Sequence, residues 1–193
     1  ILGKRSPAEA TAYLVDYLKA HPDSKGAAGS LAQFYVEQKR YAEARAIFER
    51  FWAADKSNRD YEFAIAALAV QMKDWQSAEK LFEDLKAANY DENGGVELYL
   101  AQIADETGRY ALAFDRYRAV PDGERAWIAK LRAATMLAKQ NKMSEARRYL
   151  ADLPAVTIEQ RVQVRQAEAQ LLRDAGDNAG AYAVLTQALV EHP

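Results

Sequence analysis

Apolar residues recur along this chain three and four positions apart, with small and large ones in a fixed order. The stretches "RYAEARAIFERF" (40–51), "DWQSAEKLFEDL" (74–85), "RYALAFDRYRAV" (109–120), "KMSEARRYLADL" (142–153) and "DNAGAYAVLTQAL" (177–189) share one outline. Each carries an alanine followed four positions later by a large apolar residue, usually after an aromatic or long one. That spacing gathers the apolar groups on one face of an α-helix, whereas a strand would alternate at every second residue. Alanine is frequent, β-branched residues rarely run together and there are only nine glycines, which favours helix over strand. The pattern predicts about eleven helices of roughly 10–18 residues joined by short connections.

Proline and capping residues mark the ends of these helices. The five prolines, Pro7, Pro22, Pro121, Pro154 and Pro193, all fall where a predicted helix begins or stops. Ser6-Pro7-Ala8-Glu9 reads as an N-cap, a proline at the first helical position and a capping-box glutamate. Thr157-Ile158-Glu159-Gln160 reads as a second capping box. The anchoring alanines, Ala10, Ala44, Ala78, Ala113, Ala146 and Ala181, stand 34, 34, 35, 33 and 35 residues apart. His21 and His192, the only histidines, are each followed by proline and are separated by the same distance as Ala10 and Ala181. They occupy one turn in two copies of a repeat. Each full copy also carries a first-helix alanine (Ala32, Ala66, Ala101, Ala134, Ala169) twelve residues before its partner. Two facing methyl groups let antiparallel helices approach to about 8–9 Å.

A helix–turn–helix period of 34 with these residues resembles the tetratricopeptide repeat (TPR) family. The match includes Leu31, Ala32, Tyr35, Ala44 and Phe48 in one repeat, and Leu100, Ala101, Gly108, Ala113 and Tyr117 in another. The resemblance implies an all-α, right-handed α-solenoid of about five and a half repeats. It reads as one continuous array over 1–193: a half repeat at 7–22, then repeats at about 25–58, 59–92, 94–123, 124–156 and 157–193. No repeat buries its apolar face alone, so stability is a sum of neighbour interfaces. The chain starts in half a repeat and stops at Pro193 without a polar capping helix, so a segment of a longer protein is expected. Repeat five departs from the pattern with Arg165 and Glu168, where an i, i+3 ion pair on a partly exposed face is expected; a shifted register or a specific polar contact is the alternative.

Composition then narrows the function. A net charge of −2 and a pI near 5.8 give no basic face for nucleic acid. No cysteine is present, which excludes disulfides, thiolate metal sites and cysteine nucleophiles. No run of about 18 apolar residues would cross a membrane, and no direct membrane contact is expected. Two histidines in equivalent turns supply neither a nucleophile–base pair nor a metal site. The carboxylate pairs Asp105/Glu106 and Glu9/Asp16 suit solvated helix faces, "ILGKRS" lacks the spacing of a phosphate loop, and "DENGG" (91–95) reads as a loop between repeats. No enzyme activity, metal or cofactor is expected.

Family geometry puts the first helices on a concave wall. There the lysine–asparagine clamp of chaperone-binding relatives is missing, because its positions hold Gly29/Gln33, Phe63/Ala67, Leu98/Gln102 and Leu131/Thr135. The wall changes from acidic and aromatic to basic towards the C-terminus. The candidate partner-binding residues are Phe63, Tyr99, Gln102, Arg132, Thr135, Lys139 and Arg173, with Tyr99 and Arg132 as anchors. Arg45 and Arg147 are placed on the outer face, away from binding. The function expected is a scaffold holding a protein or peptide partner in its groove. The alternative is an architectural spacer that self-associates through uncapped ends. "LYLAQIADETGRYALAFDRYRAV" and "AEAQLLRDAGDNAGAYAVLTQALVEHP" also resemble proteobacterial, lipid-anchored periplasmic TPR proteins that serve carboxyl-terminal processing proteases or cell-wall enzymes. That resemblance implies a periplasmic protein tethered to the outer membrane through an anchor outside these residues; a cytoplasmic location is the alternative.

Overall fold

The computed structural model of the protein describes residues 7–90 and 93–191. Ser6 of the first capping box, the ILGKRS stretch, Asp91 and Glu92 of the DENGG loop, and the His192–Pro193 pair lie outside those residues. Every regular element among the described residues is an α-helix, and there are eleven. The chain divides into two compact units, 1–90 and 91–193.

The first unit holds α1 (Pro7–Ala20), α2 (Lys25–Glu37), α3 (Tyr41–Ala54), α4 (Arg59–Gln71) and α5 (Trp75–Ala87), each packed on the next. The second holds α6 (Gly95–Glu106), α7 (Tyr110–Ala119), α8 (Ala126–Lys139), α9 (Met143–Ala151), α10 (Ile158–Asp174) and α11 (Asn178–Glu191). Here too successive helices touch, and α8 and α10, the first helices of two repeats, also meet each other.

The facing alanines form the tight centre of each helix pair. Ala32 and Ala44, Ala66 and Ala78, Ala101 and Ala113, Ala134 and Ala146, and Ala169 and Ala181 are all at most 2% exposed. Four residues beyond the second alanine, Phe82, Tyr117 and Leu150 are fully buried, while Phe48 and Leu185 are half-buried. Burying a side chain of that size contributes about 1.5–3 kcal/mol.

All five turns inside the helix pairs have the same backbone geometry. Lys39, Lys73, Gly108, Asn141 and Gly176 have φ between 58° and 83°, the left-handed conformation that ends many helices. The residue after each one donates its amide back across the turn, as Asp74 does to the Ala69 carbonyl (2.9 Å) and Arg109 to that of Ala104 (2.8 Å). The following helix then opens with its anchoring alanine bonded to the N-cap carbonyl, Ala78 to Asp74 (3.0 Å) and Ala113 to Arg109 (2.9 Å). One turn geometry thus sets both the reversal and the register of the alanines. Glycine fits the left-handed residue without strain; Lys39 and Lys73 occupy it at a cost of about 1 kcal/mol each.

The local signals in the sequence reappear as geometry. Thr157 and Gln160 form the capping box, the Thr157 hydroxyl accepting the Gln160 amide at 3.1 Å. His21 lies exposed in the turn after α1, its ring tilted against Tyr17 at 4.5 Å. Arg165 does pair with Glu168 (3.4 Å), but Arg147 of α9 reaches the same carboxylate at 2.8 Å. Glu168 is 8% exposed, so two arginines neutralise a buried charge between consecutive repeats. Arg147 is therefore a structural residue and not an idle outer-face one. Arg45 is another: it binds Glu49 at 2.7 Å and Asp74 at 3.2 Å, tying α3 to the start of α5.

Candidate functional site

In the second unit a cavity of about 730 Å³ opens along the seam of α8 and α10. Its apolar surface comes from Trp127, Ile128 and Leu131 on α8, Ala167 and Leu171 on α10, and Leu185 on α11. Ile128 is 46% exposed, a large aliphatic residue offered to solvent inside a concave surface. Polar groups frame the seam: Arg132 and Thr135 on α8, Gln163, Gln166, Gln170 and Arg173 on α10. The groove runs on past Thr135 and Leu171 into a smaller cavity of about 450 Å³ bordered by Ala138, Lys139, Asn141 and Met143.

Helical spacing accounts for this lining. Ile128, the adjacent Leu131 and Arg132, Thr135 and Lys139 are linked by three- and four-residue steps and so share a stripe of α8. On α10 the stripe is Gln163, Gln166, Ala167, Gln170, Leu171 and Asp174. Register between the helices is set where the Trp127 indole Nε1 donates to Gln163 Oε1, 36 positions later. Val164 and Leu171, buried with Ala134 and Leu137, hold the two helices together beneath the groove.

A polar cluster adjoins the groove at Lys139. Lys139 Nζ pairs with Asp105 Oδ1 of α6 and stands 5.2 Å from the centre of the Tyr110 ring. The Tyr117 hydroxyl is buried without a hydrogen-bond partner. Burial raises its pKa above the ordinary phenol value, against the opposing pull of the Arg132 guanidinium.

The structure distributes the seven sequence candidates unevenly. Arg132, Thr135 and Arg173 line the larger cavity, and Thr135 and Lys139 the smaller one. Tyr99 and Gln102 stand half-buried on α6, outside the lining of both. Phe63 belongs to the first unit, where its ring meets Phe82 edge-on at 5.5 Å and Tyr90 at 6.0 Å. Sequence reasoning missed Trp127, Ile128 and Gln163. The signal for Ile128 was present, since it stands one turn before Leu131 and Arg132 on the same stripe.

A second hollow of about 510 Å³ lies between α7 and α9, bordered by Phe114, Tyr149, Lys142, Glu145 and Arg148. Phe114 and Tyr149 meet edge-on there at 5.7 Å. Among the described residues no group of three or more histidines, aspartates or glutamates is placed to hold a metal ion, and no helix is long and apolar enough to cross a membrane.

Comparison with known proteins places this geometry in context. The family model described as tetratricopeptide repeat matches residues 2–68 and 37–95. A solved TPR protein from Parabacteroides merdae is 16% identical; the alignment covers 97% of this chain and 74% of that one, with a TM-score of 0.72. YrrB, described as a TPR protein with an unusual peptide-binding site, is 17% identical over 93% of this chain and 92% of its own, with a TM-score of 0.59. Yeast Tom70 is 18% identical over 96% of this chain but only 40% of its own length, with a TM-score of 0.62. At such identities the likeness shows a shared fold. No curated protein matched the sequence.

Proposed function

We propose that this chain belongs to the tetratricopeptide repeat family, whose members are generally protein–protein interaction scaffolds, and that it holds a segment of a partner protein in the groove between α8 and α10. One observation carries the reading: Trp127, Ile128 and Leu131 present an apolar surface to solvent beside the exposed guanidinium of Arg132, which has no ion-pair partner among the described residues. Aromatic and arginine side chains in a surface that a partner can desolvate supply most of the binding energy of an interface. The helices behind the groove are fixed by alanine pairing and ion pairs, so little ordering entropy is lost when a segment docks. A peptide site on YrrB, a protein of the same fold, is consistent with this use of the scaffold.

The partner class we assign is a carboxyl-terminal processing protease or a cell-wall enzyme of the bacterial periplasm, with the array tethered by a lipid anchor outside these 193 residues. Its support is the resemblance of residues 98–120 and 167–193 to lipid-anchored periplasmic TPR proteins. Site-specific photo-crosslinking in the source cell tests both parts. With p-benzoylphenylalanine at Ile128, a discrete adduct is expected, and with the same group at Arg148 on α9 none. Adducts from position 148 alone would move the site to the α7–α9 hollow. An adduct recovered from the cytosolic fraction would refute the periplasmic assignment.

A further inference from the structure

We infer that the bound segment combines an apolar anchor with side-chain carboxylates about two to four residues away, in one fixed order along the peptide. The inference rests on the α8–α10 groove being the binding site. Along α8 the lining passes from Trp127, Ile128 and Leu131 in the first turns to Arg132 and Lys139 further on. The groove is thus apolar at one end and gathers Arg132, Arg173 and Lys139 towards the other, where Asp174 is the one carboxylate in the lining. Glu124, at the apolar mouth, deepens this polarity.

Two cations are available to a ligand. Lys139 is already paired with Asp105, so it adds positive potential more than a free contact. Arg132 is exposed and has no carboxylate partner among the described residues; Arg173 is exposed and bonded only to the Gln170 amide oxygen. The neighbouring Asp174 carboxylate accepts from the Gln170 side chain at 2.6 Å. Arg173 and Lys139 lie in the last turns of their helices, where a positive charge also complements the helix dipole. Arg132 lies mid-helix, outside that dipole effect; it acts on the Tyr117 hydroxyl but meets no carboxylate among the described residues, so its exposed guanidinium is the stronger mark of an anionic ligand.

The helix geometry sets the spacing. Arg132 is four residues beyond Ile128, about 6 Å along the axis. The 36-residue register puts Arg173 beside position 137, about 14 Å beyond Ile128. An extended chain advances about 3.3 Å per residue, so carboxylates two to four residues from the anchor reach these two arginines. Gln163, Gln166 and Gln170 offer amide donors and acceptors to the backbone in between without adding charge.

The test is selection of phage-displayed random ten-residue peptides on the full chain, followed by titration of the best synthetic peptide. Asp or Glu should be enriched two to four residues from Leu, Ile, Phe or Trp, always in one order. Ile128→Asp should remove binding. Arg132→Glu with Arg173→Glu should weaken it at least tenfold and shift a repeated selection towards Lys and Arg, with helicity and Tm unchanged. Raising salt from 50 to 500 mM should weaken the wild-type complex several-fold. Peptides that depend on Ile128 but lack acidic residues, or ignore the charge reversal, would overturn the inference and leave the groove standing. If no selected peptide depends on Ile128, both fall.

Discussion

Phe63 and Ile128 are both apolar residues on the first helix of a repeat, yet the two units use them differently. In the first unit half-buried Phe63 packs on Phe82 and Tyr90, and the Tyr90 hydroxyl donates to Asp60 at 2.9 Å. Most of its surface is already used for packing. In the second unit Ile128 has polar neighbours on α10, Gln163 and Gln166, and keeps nearly half its surface in solvent. Position within the repeat is therefore not enough to name a binding residue. What decides is whether residues of the neighbouring helices, 19 to 38 positions away, cover the side chain or frame it.

This comparison can be broken directly. Phe63→Ala should cost about 2 kcal/mol of stability, through lost burial and two aromatic contacts, and leave peptide binding unchanged. Ile128→Ala should do the reverse, lowering affinity about tenfold with Tm within a degree or two. Thermal unfolding and calorimetric titration of both variants check the pair. If Phe63→Ala weakened binding and spared stability, the assignment of roles would be inverted.

The alanine pairing, by contrast, is common to both units and should respond alike. Ala78→Leu and Ala113→Leu each insert three carbons where exposure is 0% and should cost about 1–3 kcal/mol in urea unfolding. A harmless substitution at either site would mean that helix spacing is set elsewhere.

Ion pairs come next in size. Arg147→Ala leaves buried Glu168 with Arg165 alone and should cost about 1–2 kcal/mol. Arg148→Ala, one residue on and exposed, should stay within about 0.5 kcal/mol. Equal effects would show that the Arg147–Glu168 contact contributes nothing specific.

The smallest expected effect lies in the turns. Lys73→Gly should stabilise the first unit by about 0.5–1 kcal/mol, because the left-handed residue no longer carries a Cβ. Gly108→Ala should destabilise the second unit by a similar amount, although no atom lies within 4 Å of the added methyl. Because that site is open, a loss there isolates backbone strain from crowding.

The repeat was legible because its parts are local. The alanines twelve residues apart, the capping residues and the prolines all lie within one helix pair, and they gave the all-α fold and the turns. Lys39, Lys73 and Asn141 gave less warning, since only glycine announces a left-handed residue by its type. Side-chain contacts between helices were less visible still. Arg147 with Glu168, Trp127 with Gln163, and Phe63 with Phe82 and Tyr90 join side chains 19 to 36 positions apart. No periodicity in a single chain ranks such pairs. Of the seven candidates, Arg132, Thr135, Lys139 and Arg173 line the groove, Tyr99 and Gln102 stand outside it and Phe63 is half-buried in the first unit; Ile128 was not among them.

The central claim is that α8 and α10 form the binding surface, and amide chemical-shift mapping with the best selected peptide tests it most directly. Titration should move the resonances of Ile128, Leu131 and Thr135 on α8 and of Ala167, Gln170 and Leu171 on α10, and leave Phe114 and Tyr149 in place. Shifts confined to Phe114, Tyr149 and Arg148, or to the helices around Phe63, would contradict it.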